Sequence, residues 1–387
     1  MGVLAFGLSW LIRPGVAVLG ALLAVPAAYW VSGHRALPVL AGTLLWAALG
    51  AGILASQTTS QEAAYRAIDV FESQLIDYQW LRPTPRTALD SLRLRVMRHR
   101  MRTDTTLINK ALFYRTAHFE SEYFLRETAP AKLRVLVSLV LHDYFPLLML
   151  QLILWGWVAL SANMPVRRWF WLTQVGYALL LLGLGIGLKL PPRIGLPFFD
   201  FWALSNLLYV LRERGCVTIQ RLESIIAVLA VAAVPYSYKT LHRRAVLQRE
   251  RQHNILLRHQ LTAKLPADAL MVTDVLPATY KAASPFHNPD AVPGKMLLLT
   301  GWTTSDPSQA AWRQQLTGTR NFAESMRRLA GIGPRVQLLL TPSVARILNE
   351  QLETNDSAVA RLLPELRVQA SAADTLRYYV LREETVK

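Results

Sequence analysis

The sequence predicts a mostly α-helical, polytopic membrane protein of about six transmembrane helices with a small C-terminal α/β domain. Three observations predict it. Only 18% of the 387 residues are charged, where a soluble domain carries about 25%, and the deficit falls in long uncharged stretches. Six of those stretches approach the ~20 residues that a helix needs to cross ~30 Å of hydrocarbon. After Lys239 the pattern changes to short apolar runs that end in turn residues.

The expected spans are Pro14 to Ser32, Leu37 to Ala55, Val135 to Ala159, Trp169 to Leu188, Leu196 to Leu211 and Ile225 to Tyr238. Trp30, Trp155, Trp157, Trp169, Trp171, Tyr236 and Tyr238 sit near their ends, where the amphipathic rings of an interfacial belt belong. The stretch Val3 to Ile12 is too short to cross. It reads as an interfacial helix or the remainder of a longer span. The chain therefore divides into two spans over 1–55, a basic helical loop over 56–133, four spans over 134–239, a basic helical stalk over 240–264 and an α/β domain over 265–387. Four crossings separate the loop from the tail, so both are expected on one side. Lys and Arg flanking the spans are more numerous on that side, which the positive-inside rule reads as cytoplasmic, in a bacterial inner membrane.

The loop predicts two helices, Gln61 to Tyr78 and Thr87 to Met101. The second has Leu89, Leu92, Val96 and Met101 on one face and Arg93, Arg95, Arg98, Arg100 and Arg102 on the other. Such a basic amphipathic helix is a solvated face, a contact for anionic headgroups or a binder of phosphate-bearing ligands. Arg93, Arg98 and Arg100 are the candidate ligand-binding residues. The expected partners are membrane lipid and a lipid-linked or phosphate-bearing substrate.

In the tail, Ala269 to Asp274, Met296 to Thr300, Val336 to Thr341, Leu366 to Ala370 and Leu376 to Leu381 read as strands. Helical patterns run from Ser305 to Leu329 and from Pro342 to about Leu352, with proline tolerated in the first turn. Ligands of open α/β sheets sit off the carboxyl ends of strands. That places Asp274, Thr300, Trp302 and Thr341 at a candidate site, with Asp274 and Trp302 as ligand-binding residues. Turn chemistry is the simpler explanation of the same residues.

Ionisable groups inside apolar spans are costly and mark function. His142, Asp143 and Asp200 are the candidate catalytic residues, with Asn206 further along. They suit proton transfer or the positioning of a sugar hydroxyl. Otherwise the carboxylates pair with arginines such as Arg134 or Arg193. His142 and Asp143 are adjacent and point ~100° apart on a helix, so no metal site is expected. The chain contains no Gly-x-Gly-x-x-Gly, no phosphate-cradling loop with Gly-Lys-Ser/Thr and no Gly-x-Ser-x-Gly, so no cofactor is expected. Cys216 is the single cysteine, which excludes an internal disulfide. The net charge is +16, but the basic residues flank apolar runs. That pattern fits lipid rather than nucleic acid.

Ile12-Arg-Pro-Gly15, Leu190-Pro-Pro-Arg-Ile194 and the run Met296 to Asp306 give the chain a layout that resembles the GT-C glycosyltransferases. The resemblance implies sugar transfer from a polyprenyl-phosphate carrier and a tail outside the cytoplasm, against the charge count. The family's acidic residue in a first outer loop has no counterpart in Gly33 to Ala36. The function expected from the residues themselves is a membrane-anchored binding or assembly component. An enzyme handling lipid-linked sugars is the alternative, and a transporter, for which no internal repeat speaks, is the other.

Overall fold

The computed structural model describes residues 2–101, 108–160, 167–212, 219–262, 269–275, 295–301, 304, 307–331, 335–355, 359–369 and 375–384. The chain is mostly helical with a small C-terminal sheet region. It forms two compact units. One comprises Met1–Thr59 and Ser121–Leu241, the other Ser60–Glu120 and His242–Lys387. The loop and the tail, read separately from the sequence, thus belong to one folded body.

The first unit is helical. It contains α1 (Gly2–Ile12), α2 (Pro14–Ser32) and α3 (Leu37–Gln57). Prolines 14 and 38 sit in the first turns of α2 and α3, where no intrahelical N–H is needed. Gly33, at φ +57, ends α2 with a backbone that a side chain would resist. Among the described residues, Pro14–Gln57, Arg167–Gly187 and Ile194–Arg212 are long and apolar enough to cross a membrane. A fourth stretch qualifies if Ser121–Asp143 and Phe145–Leu160 count together, although they meet at 85°.

That bend corrects the expected straight third span. The stretch is α8 (Ala129–Asp143) followed by α9 (Phe145–Leu160). A preceding short turn, α7 (Ser121–Tyr123), leads in through a π-helical segment. The cause is Pro146, which has no N–H to offer the carbonyl of His142, four residues back. Lys239 Nζ donates to that carbonyl instead, at 2.9 Å. Tyr144 marks the corner, 3% exposed, and its ring lies 4.9 Å from that of Phe199. Gly195 makes room for it: a Cβ there would lie 2.4 Å from Tyr144 Oη and 2.9 Å from Cζ. Gly195→Ala is expected to cost about 1–3 kcal/mol through overpacking. Thermal unfolding in detergent measures it, and an added Tyr144→Phe should restore part of the loss.

The remaining helices are α10 (Arg167–Leu182), α11 (Pro192–Arg212) and α12 (Ile219–Thr262). A π-helical turn, Gly183–Gly187, ends α10. Lys132 Nζ caps it, donating to the carbonyls of Ile186 and Leu188 at 3.1 and 2.9 Å, which a cation at a helix C-terminus does favourably. The expected sixth span and the basic stalk are one continuous helix, α12. The polarity of this unit is inverted relative to a soluble fold. Leu22, Leu44, Leu49, Leu172 and Leu179 are more than half exposed, whereas Gln151, Gln174, Ser205 and Asn206 are buried.

The second unit opens with α4 (Ser60–Glu72), the short strand β1 (Leu81–Pro83), α5 (Ala88–Arg98), α6 (Lys110–Thr116) and β2 (Ala117–Phe119). Thr87 caps α5 by accepting from the Asp90 N–H at 3.1 Å. Strands β1 and β2 pair antiparallel. The tail adds β3 (Leu270–Thr273), β4 (Lys295–Leu298), α13 (Pro307–Thr317), α14 (Phe322–Gly331), β5 (Val336–Leu340), α15 (Pro342–Asn355), β6 (Val359–Gln369) and β7 (Thr375–Glu384). The single helical stretch expected from Ser305 to Leu329 is two helices, because Gly318, at φ +75, turns the chain between them.

The tail strands form one sheet in the order β4-β3-β5-β7-β6. β4, β3 and β5 run parallel, and β7 and β6 extend them antiparallel. Side chains alternate between faces with period two. Leu270, Val272, Leu297, Leu338 and Leu340 face one core, and Ala269, Met271 and Leu339 face the other. The first core also takes residues from α14 and α15. From the loop it takes Leu92, Leu94, Val96, Met97, Met101, Ile108 and Phe113. The apolar side of α5 is therefore covered by the sheet domain, and only its basic side remains for other work.

Candidate functional site

The carboxyl edge of the parallel strands gathers several of the expected residues. Asp274 follows β3, Thr300 follows β4 and Thr341 follows β5. Asp274 Oδ1 accepts from the Thr341 N–H at 3.0 Å, and Oδ2 accepts from the Thr341 hydroxyl. The Thr300 hydroxyl donates to the Asp274 carbonyl at 2.9 Å. The end of α5 reaches the same edge, where the Gly301 N–H donates to the Arg100 carbonyl at 3.1 Å. Asp274 and Arg100, chosen from distant segments, are thus brought to one place. Trp302 lies outside the described residues.

Arg100 sits at φ +57. The Met101 N–H bonds to the Val96 carbonyl at 3.1 Å, and the Arg100 N–H to that of Met97 at 2.8 Å. These two bonds close a Schellman cap, whose left-handed residue is usually glycine. The Arg100 guanidinium lies 3.8 Å from Asp77. Arg93 is half-buried, and its Nε is shielded from solvent with no acceptor among the described residues. Arg98 is exposed and lines a cleft of about 290 Å³ with Pro83, Pro85, Ser91, Leu94 and Arg95. The three candidate arginines therefore do different things.

Burial pushes the Asp274 carboxyl above its ordinary value of 3.8; the Thr341 hydrogen bonds and the charge of His99 pull the other way without overcoming it. A raised carboxyl means that the folded state holds its proton to higher pH than the unfolded chain does. Stability from this group is present below about 3.8 and falls as pH rises through the folded value. Asp274→Asn should raise the urea midpoint of this unit at pH 7, with a gain that shrinks towards pH 4. Asp90 works in the opposite sense. The Arg115 hydrogen bonds hold its buried carboxyl below 3.8, so its contribution is present above that value and is lost as pH falls through the folded one.

In the helical unit, the candidate carboxylates are dispersed. Asp143 is ion-paired with Lys239 and its side chain is 34% exposed. The expected kind of pairing occurs, but with a lysine 96 residues away rather than Arg134. His142 is exposed, and its Nδ1 lies 2.9 Å from the Ser138 carbonyl. Asp200 is exposed on α11 and makes no hydrogen bond or ion pair among the described residues. Among the described residues nothing joins it to His142 or Asp143.

What the helices do bring together is a set of amides. Gln174 Oε1 accepts from Trp155 Nε1 at 2.9 Å, Trp202 Nε1 at 2.7 Å and Asn206 Nδ2 at 3.0 Å. Its Nε2 donates to Asn206 Oδ1 at 2.8 Å and to the Phe170 carbonyl at 3.2 Å. Asn206 Nδ2 also donates to Gln151 Oε1. The set ties α9, α10 and α11 together between two aromatic clusters, one around Trp30, Phe170 and Tyr209 and one around Tyr144, Tyr177 and Trp202. Amides do not titrate, so this centre locks helices and moves no protons. The sequence marks Asn206 beside Asp200, whereas Gln151 and Gln174 carry no charge that would single them out. A search for any polar residue in an apolar run, rather than for ionisable ones, finds both.

Among the described residues no group of three His, Cys, Asp or Glu side chains could hold a metal ion. No protein-family model, curated protein or solved structure matches the chain.

Proposed function

We propose that the chain is a multi-pass integral membrane protein of about six crossings that serves as a membrane-anchored binding or assembly component. The observation that carries the membrane reading is the inverted polarity of the helical unit. Leucines and valines cover its outside while Gln151, Gln174 and Asn206 fill its centre. Monomeric soluble proteins rarely expose such contiguous apolar surface. Length supports the span count. Pro14–Gln57 has 44 residues, about 66 Å of helix at ~1.5 Å per residue, which is twice the bilayer core. With Gly33 breaking it, this stretch supplies two crossings. The apolar part of α12 supplies the last.

The binding reading rests on the α/β unit. Its two segments share one core and so lie in one compartment, the cytoplasm by the charge count. The sheet edge at Asp274 and the basic side of α5 are the surfaces it offers. Two measurements test the proposal. Alkaline carbonate should leave the chain in the membrane fraction. Native electrophoresis of mild-detergent extracts should show it in a complex. A monomer together with loss of a cell-surface glycan in Asp143→Asn or Asp200→Asn would overturn the binding reading in favour of an enzyme acting on lipid-linked sugars.

A further inference from the structure

The cleft beside α5 has the makings of a phosphate site. Ser91, Arg95 and Arg98 stand at helical spacings of four and three, which brings them to one stripe of α5. Pro83, Pro85 and the buried Leu94, 5% exposed, complete its lining. The opening of about 290 Å³ takes a phosphate and a few further atoms. Among the described residues no carboxylate lines it. Arg98 has no acidic partner among the described residues. Arg95 Nη1 lies 3.1 Å from Glu350 Oε1, in a pair whose members are 41% and 32% exposed. An exposed pair of this kind holds the guanidinium in place but is weak enough for a doubly charged ligand to displace. The Ser91 hydroxyl donates to the Thr87 carbonyl at 3.2 Å, a long bond that a rotation about the C–O axis exchanges for one to a ligand oxygen.

We propose that this cleft binds the terminal phosphate of a phosphomonoester or diphosphate, with Arg98 and Arg95 donating to its oxygens and Ser91 adding a third bond. Two guanidiniums, one of them held only by the exposed Glu350 pair, and a hydroxyl select a dianion over a carboxylate or a neutral sugar. The inference rests on the α/β unit being a binding body and names its ligand class. The phosphate comes either from a soluble metabolite or from a lipid headgroup.

The test uses the full chain in nanodiscs of phosphatidylcholine, titrated calorimetrically with pyrophosphate. Saturable binding is expected. Arg98→Ala and Ser91→Ala should each weaken it, the first at least tenfold, while Arg320→Ala, at an exposed arginine in the turn between α13 and α14, should leave it unchanged. Nanodiscs carrying phosphatidic acid distinguish the sources. Loss of pyrophosphate binding in them assigns the site to a headgroup, and retention assigns it to a soluble ligand. Absence of saturable binding, or equal weakening by Arg98→Ala and Arg320→Ala, overturns the proposal. An intact native complex with no phosphate binding would sink this inference and leave the binding reading standing.

Discussion

Replacing Gln174 with leucine should cost the helical unit about 3 kcal/mol. The change removes the acceptor of three buried donors, Trp155 Nε1, Trp202 Nε1 and Asn206 Nδ2. A buried donor left without a partner costs about 1–3 kcal/mol, and polar contacts between membrane helices average nearer ~0.6 kcal/mol. Three of them at an intermediate ~1 kcal/mol give the expected total. Thermal unfolding in detergent, followed by the near-ultraviolet dichroism of the tryptophans, reads it directly. A loss below ~1 kcal/mol would mean that the indoles and Asn206 find other acceptors, and that the amide set is not what ties α9, α10 and α11 together.

The second large effect belongs to Met97. It is fully buried, on a helix some 170 residues before the first strand of the sheet it packs with. Met97→Ala leaves a cavity and is expected to cost about 2–5 kcal/mol. The informative measurement is amide hydrogen exchange on β3 and β5 in the full chain. If the loop and the tail are one cooperative body, protection in those strands falls together with that of α5. Unchanged protection in the strands would show that the loop merely rests on the sheet.

Much of this architecture is legible in local pattern. The runs ending at Asp274, Thr300 and Thr341 are strands because four apolar residues in so short a stretch between turn formers leave little else for the chain to do. Pro14 and Pro342 mark helix starts because proline lacks only a hydrogen bond that those positions never make. The bend at Tyr144 was in principle visible as well, since Pro146 interrupts the apolar run. Its angle was not, because the angle depends on Gly195 and on what Lys239 does to the His142 carbonyl. The shared core was invisible for a related reason. Nothing in the period of α5 says whether its apolar side meets lipid or a sheet made much later in the chain. The amide centre was missed because glutamine carries no charge to flag it; only its burial among indoles gives it weight. Of the candidate ligand residues, Asp274 and Arg100 meet at one edge, which no spacing rule relates, whereas Asp143 and Asp200 stay apart.

A body assembled from two distant segments also has a timetable. The chain reaches Glu120, the end of the first segment, well before Leu340, which closes β5. At ~5–20 residues per second, the 220 residues between them take roughly 11–44 s to make. Throughout that interval Leu92, Val96, Met97 and Phe113 have no sheet to cover them. The emerging polypeptide must therefore carry a sticky, half-finished surface for that whole interval. A nascent chain of this design depends on something else, such as a chaperone, to shield that surface until the last strands leave the ribosome.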